Sequence, residues 1–324
     1  MMNKNTYQQI YTLQKKIRYI EKTISKKYHE NQMRCPTHLS LGQEAIAAAT
    51  GLALKKSDIS VSYHRSHAHY LGKGGNVRKM LAELYGFKEG CSKGIGGSMH
   101  LVDLKCNFYG STAIVSNSIP IGVGIAYSMK INNIKNLVCI YIGDASIEEG
   151  VFFESINFCA LKKLPVVFIC ENNFFSVYTH LKVRQPQKRK IYKVAKALGV
   201  TSYKFSQNNP FKLYSNVKKI FDKVRKSPKT YFIEVETYRY LEHCGPNDDS
   251  ALGYRDLKEI AKWKRKDPIE FSRNYLIKNK IFSKERIDKF NQKLTQEINK
   301  DFQYIKKLRQ PQFKSIKNLA YKIR

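Results

Sequence analysis

Acidic residues are scarce in this chain of 324 residues. Aspartate and glutamate number 26 against 58 lysines and arginines, which gives a formal net charge of +32 at pH 7. A positive field of this size favours acidic ligands or partners, so a nucleic-acid-binding protein is one alternative. However, the basic residues are spread along the whole chain, and no recognisable nucleic-acid motif accompanies them. We expect a solvated, Lys-rich surface and no nucleic-acid partner.

Paired cysteines and long apolar runs are also missing. The seven cysteines form no Cys-x-x-Cys pair, and several lie within apolar runs, as small core residues do. We expect them to be reduced thiols in a cytoplasmic protein. No stretch of 18 apolar residues occurs, and the amino terminus has no apolar segment typical of secretion signals. The sequence therefore predicts neither secretion nor a membrane partner, and its length is sufficient for a globular enzyme.

The most informative stretch is 137–175. Two short apolar runs, 137–142 and 165–170, flank an amphipathic segment of helical length, which is typical of a strand, a crossover helix and a parallel strand. A right-handed crossover places both strand ends at one edge of the sheet, with adjacent strands about 5 Å apart. Asp144 and Asn173 follow these strand ends. We therefore expect an α/β fold in which these two side chains are neighbours.

The chemistry of this pair indicates a metal and phosphate site. A carboxylate and a neutral amide oxygen suit a hard cation such as Mg²⁺, which keeps positions for water and phosphate oxygens. The helix that begins after Asp144 directs free backbone amides towards the same crevice, where a phosphate group is favoured. The crevice beyond the carboxyl ends of parallel strands is also where open α/β sheets bind ligands.

Two further segments carry polar chemistry. Residues 63–69 contain three histidines and Arg65, which allows a metal site, a loop with local hydrogen bonds or a phosphate clamp. We favour the clamp, because arginine offers a planar and permanently charged donor. Residues 90–100 form a glycine-rich loop that lacks Gly-x-Gly-x-x-Gly and follows no clear strand, so a nicotinamide site is not indicated.

Taken together, several motifs resemble the alpha subunit of the thiamine diphosphate-dependent first component of 2-oxo acid dehydrogenases, of the pyruvate or acetoin dehydrogenase type. The resemblance covers roughly residues 38–260, and its motifs lie at 41–45, 94–100, 143–154, 164–173 and 238–243. It implies a thiamine diphosphate-binding α/β domain over 37–255, with a mostly parallel sheet flanked by helices. We expect an N-terminal helical extension at 1–36 and a Lys-rich helical region at 256–324.

The resemblance also assigns thiamine diphosphate and Mg²⁺ to a set of positions: His64, Arg65, Ala113, Val115, Gly143, Asp144, Ala145, Asn173, Phe175 and His243. Asp144, Asn173 and the backbone carbonyl of Phe175 are the expected Mg²⁺ ligands. His64, Arg65 and His243 are expected on the diphosphate side. The backbone carbonyl near Ala113 and the side chain of Val115 would hold the aminopyrimidine ring and the bent shape of the cofactor. His67, near the reacting centre, and His243 are the expected catalytic residues.

Some positions depart from the family pattern. Ala113 and Ala145 stand where the family has glycine, and an alanine at positive φ would cost about 1 kcal/mol. A catalytically silent homologue is therefore one alternative. Leu241 replaces a family histidine and Cys244 replaces the phosphorylatable serine, so we expect no control by a dedicated kinase.

The reaction implied by the resemblance is oxidative decarboxylation of pyruvate or a similar small 2-oxo acid. The cofactor acts as the electron sink, and the acyl group passes to a lipoyl-bearing acyltransferase. Cleavage of acetoin is the close alternative. In this family a beta subunit supplies the glutamate that activates the cofactor, so we expect an α2β2 heterotetramer.

Overall fold

A six-stranded parallel sheet organises the computed structural model, which describes residues 2–33 and 35–308. Its strands are β1 (Ile59–Tyr63), β2 (Phe108–Thr112), β3 (Val138–Gly143), β4 (Val166–Asn172), β7 (Thr201–Ser206) and β8 (Tyr231–Glu236). They lie in the order β2-β1-β3-β4-β8-β7, and every neighbouring pair is parallel. A separate short hairpin consists of β5 (Phe175–Ser176) and β6 (Thr179–His180). The expected α/β fold is confirmed.

Helices occupy the connections and both ends of the described chain. They are α1 (Lys4–Tyr28), α2 (Glu44–Ala53), α3 (His67–Gly72), α4 (Val77–Leu84), α5 (Ser118–Ile131), α6 (Gly150–Lys162), α7 (Leu181–Arg184), α8 (Ile191–Ala197), α9 (Pro210–Lys226), α10 (Leu257–Arg265), α11 (Pro268–Lys278) and α12 (Lys284–Lys306). A 3-10 helix, Asp144–Glu148, joins β3 to α6.

The central βαβ unit forms as the apolar runs predict. β3 and β4 pair in parallel from Val138 opposite Val166 to Gly143 opposite Glu171, and α6 connects them. The sequence did not reveal β2 and β7, the outer strands of the sheet. Each has a neighbour on one side only, and several of their residues are half-buried or exposed. Their apolar pattern is consequently too weak to be recognised.

The sheet is covered on both faces. On one face Val123 of α5 and Ile156 of α6 join an apolar cluster with β3 and β4, whereas on the other Ile46 of α2 and Phe221 of α9 do so. Burying apolar side chains on both faces explains why β3 and β4 read as continuous apolar runs. Helices on both faces leave the ends of the strands for loops.

The two terminal helical regions share a core. Ile17 and Ile20 of α1 belong to the same buried cluster as Leu294 and Ile298 of α12. Residues 309–324 of the predicted C-terminal region lie outside the described residues. In 2–33 and 35–308, no helix combines the length and apolar character needed to cross a membrane.

Candidate active site

A cavity opens beyond the carboxyl ends of β1, β3 and β4, where the sequence predicts a ligand crevice. It is lined by His38, Tyr63, His64, Arg65, Met99, Ala113, Val115, Gly143, Asp144, Ala145, Ser146, Asn173, Phe175, Ser176, Val177 and His243. Every residue assigned from the family resemblance is present except His67. Loops that are far apart in the chain therefore converge on one site.

Asp144 carries a buried negative charge at this site. The residue begins the 3-10 helix directly after β3, and its exposure is only 2%. Arg184 of α7 forms an ion pair with Oδ2 of Asp144 and a second one with Oε1 of Glu148, at 2.6 Å. Burial raises the pKa of Asp144, and the charge of Arg184 opposes that rise. Arg184 could not be predicted from the sequence, because it lies on a short helix outside the recognised motifs.

Asn173 follows β4 and is held in one orientation. Its Nδ2 donates to Oε1 of Gln43 at 3.1 Å, while its Oδ1 accepts from the backbone amide of Phe175, also at 3.1 Å. Gln43 in turn donates to Oε2 of Glu171 at 3.4 Å, and the hydroxyl of Tyr63 donates to the same oxygen at 2.5 Å. This network fixes the orientation of the Asn173 carboxamide. Its oxygen, the atom that could bind a cation, therefore has a defined position.

The donor set fits a hard divalent cation. Asp144 offers a carboxylate, Asn173 offers a fixed amide oxygen, and Phe175 offers a backbone carbonyl on the same cavity wall. Such oxygen ligands are those that Mg²⁺ takes in proteins, together with water and phosphate oxygens. The ion pair with Arg184 also shows that the charge of Asp144 requires a positive partner.

The two alanine departures introduce no backbone strain. Neither Ala113 nor Ala145 has a positive φ, so the cost considered for alanine at a glycine position does not arise. Strain lies instead at Phe174 and Val177, whose φ values are 70° and 52°. A β-branched residue at positive φ is a conformational outlier. Val177 is held there by its carbonyl, which accepts from Nη2 of Arg239 at 2.7 Å.

Arg65 lines the cavity but also holds its loops together. The residue is 1% exposed, and it donates from Nη1 to the carbonyl of Leu39 at 2.6 Å and from Nη2 to the carbonyl of His243 at 3.1 Å. Its fixed charge therefore stands at the cavity wall while its donors connect three chain segments. The predicted role in binding diphosphate stays a prediction.

His64 and His243 lie together in the cavity, as expected for two residues on one ligand. Their ring centroids are 5.2 Å apart. Burial first and the charge of Arg65 second lower the pKa of His64 to about 2 and that of His243 to about 3. Both imidazoles are therefore neutral at pH 7 and can donate or accept hydrogen bonds.

His38 is a second site residue that the sequence analysis did not identify. Its ring lies 4.5 Å from that of His64 and 5.0 Å from that of His243, between centroids. Burial lowers the pKa of His38 far below its usual range. The position follows a proline and precedes α2, which looks like an ordinary chain break. A parallel bridge between His38 and Gly245, which no local pattern indicates, helps to hold it at the site.

His67 lies outside the cavity lining. It is fully buried, and its expected role near the reacting centre stays a prediction. Its Nε2 lies 2.8 Å from Oγ of Ser98, and its Nδ1 lies 3.5 Å from Oε1 of Glu21. As the first residue of α3, it connects α1 to the glycine-rich loop. Its contacts in this structure are those of a residue that supports the fold.

The family model and the similar proteins all point to the same family. The family model described as "Dehydrogenase E1 component" matches residues 13–314. A pyruvate dehydrogenase E1 component subunit alpha from Rickettsia typhi is 35% identical over 269 residues, which cover 83% of this chain and 81% of that protein. The corresponding Rickettsia bellii protein is 33% identical over 288 residues, with 89% and 87% covered. A chloroplastic pyruvate dehydrogenase E1 component subunit alpha-3 from Arabidopsis thaliana is 31% identical over 301 residues, with 91% and 69% covered.

Proposed function

The chain belongs to the dehydrogenase E1 component family, and on that premise we propose that it is the alpha subunit of a thiamine diphosphate-dependent pyruvate dehydrogenase. One observation carries this proposal. Asp144 and Asn173, from the ends of neighbouring strands, line one cavity together with Arg65 and two of the histidines assigned to the diphosphate. Such a constellation provides oxygen ligands for a cation and donors for an anion at the same place.

The residues present can divide the binding of the cofactor between them. Asp144, Asn173 and the carbonyl of Phe175 would hold Mg²⁺, while Arg65 and His243 would face the diphosphate. The neutral imidazoles donate hydrogen bonds without adding charge, so Arg65 supplies the fixed positive charge. Held by these residues, thiamine diphosphate would supply the electron sink that decarboxylation of a 2-oxo acid needs.

A second subunit is part of the proposal, because one required group is missing from the cavity. The cofactor needs a glutamate against its aminopyrimidine ring, and the cavity lining within the described ranges contains Asp144 but no glutamate. The helix that follows the Val115 segment of the cavity wall, α5, exposes apolar side chains of Ile121, Tyr127 and Ile131. Exposed apolar surface of this kind is typical of a site where another protein binds. We infer that a beta subunit covers it and supplies the glutamate, in an α2β2 assembly.

Pyruvate is the favoured substrate. The relatives reported above carry the name of pyruvate dehydrogenase, and none of them is named for acetoin. Met99, Val115 and Val177 contribute apolar side chains to the cavity lining, next to which the methyl group of pyruvate can pack. A lipoyl-bearing acyltransferase is the proposed acceptor of the acyl group, and the cytoplasm is the proposed location.

Calorimetry with thiamine diphosphate and Mg²⁺ tests the proposal, on the full chain purified with its beta subunit. We expect Asp144→Ala to weaken cofactor binding by roughly a hundredfold or more, the upper end seen when residues that merely support metal ligands are lost. Asp222→Ala is the matched control, because Asp222 lies on α9, is 39% exposed and does not line the cavity. Equal affinity in the two variants, or no binding by the unaltered protein, would contradict the proposal.

A further inference from the structure

Three imidazole rings meet at the cavity wall: those of His38, His64 and His243. One nitrogen from each ring lies within 4.8 Å of the other two. The rings come from the segment before α2, the end of β1 and the loop after β8. Three residues that are far apart in the chain thus form a compact cluster of nitrogen donors, separate in kind from the oxygen donors of Asp144 and Asn173.

The cluster is preorganised by contacts that do not use the imidazoles. Arg65 ties the carbonyls of Leu39 and His243 together, and the amide of Gly245 donates to the carbonyl of Thr37 at 2.8 Å. His38 is 6% exposed, and its Nδ1 has no hydrogen-bond partner among the described residues. A buried polar nitrogen without a partner costs free energy, which a ligand at this nitrogen would remove.

We propose that His38, His64 and His243 form a binding site for a divalent transition-metal cation such as Zn²⁺ or Co²⁺. Imidazole nitrogens select such cations, whereas carboxylate, carbonyl and water oxygens suit Mg²⁺. Three histidines with an open fourth position form a tetrahedral zinc site with Zn–N distances of about 2.0–2.1 Å. Tetrahedral geometry then places the nitrogens about 3.4 Å apart, so each ring has to move by only about 1 Å.

The three histidines are unprotonated at neutral pH, which favours metal binding. Burial lowers the pKa of all three histidines, so their ring nitrogens carry free lone pairs at pH 7 rather than competing protons. Arg65 acts in the opposite direction, since its charge repels a cation at the cluster. This charge is offset when the fourth ligand is an anion, and we infer that hydroxide or chloride completes the coordination.

A metal at this cluster would exclude the cofactor. This step rests on the proposed function, in which His64 and His243 face the diphosphate. Coordination occupies one nitrogen of each ring and draws the two rings towards the metal, so they no longer face the diphosphate as the proposed function requires. Transition-metal cations are therefore expected to inhibit the enzyme by occupying the site in the absence of the cofactor.

A cobalt titration of the full chain in Mg²⁺-free buffer tests the site. We expect one Co²⁺ per chain, with the visible absorption of tetrahedral cobalt and without thiolate-to-cobalt charge transfer. His64→Gln should weaken binding by about tenfold or more, a loss already seen when the support of a metal ligand is removed. His29→Gln is the matched control, because His29 is exposed at the end of α1. X-ray absorption of the Zn²⁺-loaded, unaltered chain counts nitrogen and sulfur ligands even where a variant fails to fold.

Each outcome has a defined meaning. Sulfur ligands, no saturable binding, or equal loss of affinity in His64→Gln and His29→Gln would overturn the site. Loss of cobalt binding after loading with thiamine diphosphate and Mg²⁺ supports the competition, and simultaneous binding of both overturns it. If cobalt binds but the cofactor does not, the proposed function fails while the metal site stands.

Discussion

At the scale of single residues, the charge of Asp144 determines much of the candidate site. Its carboxylate is buried, and the guanidinium of Arg184 balances it. A buried charge without its partner is strongly destabilising, because desolvation is then uncompensated. Arg184 therefore acts as the counter-ion in the metal-free protein, and a bound cation would share or replace that function.

Replacing Arg184 by glutamine should show whether a bound cation can take over from Arg184 in balancing the charge of Asp144. We expect the free energy of unfolding to fall by about 3 kcal/mol without ligands, as for other broken buried ion pairs. Part of this loss should be regained with Mg²⁺ and thiamine diphosphate, since the cation then balances Asp144. Thermal unfolding with and without ligands measures both effects.

Arg78→Gln is the control for this comparison, because its ion pair with Asp301 is exposed. Such a pair contributes about 0–1 kcal/mol. If the free energy of unfolding falls equally in the two variants, the ion pair of Asp144 with Arg184 contributes no more to stability than an exposed ion pair does.

The histidine cluster predicts a dependence of stability on pH. Burial lowers the pKa of His64 to about 2 and that of His243 to about 3, whereas both would titrate near 6.5 when unfolded. Below pH 6.5 the unfolded chain binds more protons, so the free energy of unfolding should fall as the pH falls towards 3. Each histidine contributes up to about 1.4 kcal/mol per pH unit.

Urea unfolding between about pH 7.5 and about pH 5.5, where histidines titrate, measures this slope. His64→Gln should flatten the slope by one proton, and His29→Gln should leave it unchanged. Identical slopes in both variants would mean that His64 is not held neutral in the folded protein.

At the scale of elements, the glycine-rich loop is held by one buried carboxylate. Glu83 of α4 is 1% exposed and accepts from the backbone amides of Ser92, Gly94, Gly96 and Gly97, at 2.7 to 3.2 Å. A side chain at Gly96 would place its Cβ 2.2 Å from the carbonyl oxygen of His100, so the loop requires glycine there. The loop leads to Met99 in the cavity wall, and Glu83 thus supports the site from a distance.

Glu83→Gln should destabilise this loop. The amide group of glutamine would face backbone donors in place of one carboxylate oxygen, at a cost of about 2 kcal/mol. Urea unfolding measures the loss, and limited proteolysis should show faster cleavage within 90–100. The exposed Glu89 offers the matched control: if Glu89→Gln has the same effect, the buried carboxylate does not hold the loop.

At the scale of the whole molecule, an apolar surface on α5 and α6 is exposed in the part of the chain that the structure describes, 2–33 and 35–308. The outer face of α5 exposes Ile121 and Ile131, at 46% and 62%, and α6 exposes Leu161 at 73%. An added Cβ at Gly124, on the same face of α5, would meet no atom within 4 Å. A large exposed apolar surface stabilises a complex when a partner buries it.

The double substitution Ile121→Glu and Ile131→Glu should therefore weaken binding of the beta subunit, because it places charges in an apolar contact. We expect co-purification of that subunit, identified by mass spectrometry, to drop by roughly tenfold or more, which corresponds to about 1.4 kcal/mol. The fold should be retained, as judged by circular dichroism. Leu257→Glu is the control at an exposed apolar residue of α10; loss of the partner in this variant alone would place the interface elsewhere.

The sequence by itself determined the features that depend on local pattern. The apolar runs 137–142 and 165–170 required parallel strands, and the crossover rule then required Asp144 and Asn173 to be neighbours. The amphipathic spacing of α1 and α12 was also readable, because burial of one helix face imposes it. By contrast, the strands β2 and β7 escaped detection, since a strand at the edge of the sheet carries a weak apolar signal.

Only the tertiary structure decided how distant side chains meet. It brought His38 to His64 and His243, paired Arg184 with Asp144, and buried His67 between Glu21 and Ser98. Each of these contacts joins segments whose approach depends on how loops pack around the end of the sheet. Local backbone preference carries no information about that packing, whereas distance, burial and charge compensation fix it once the chain has folded.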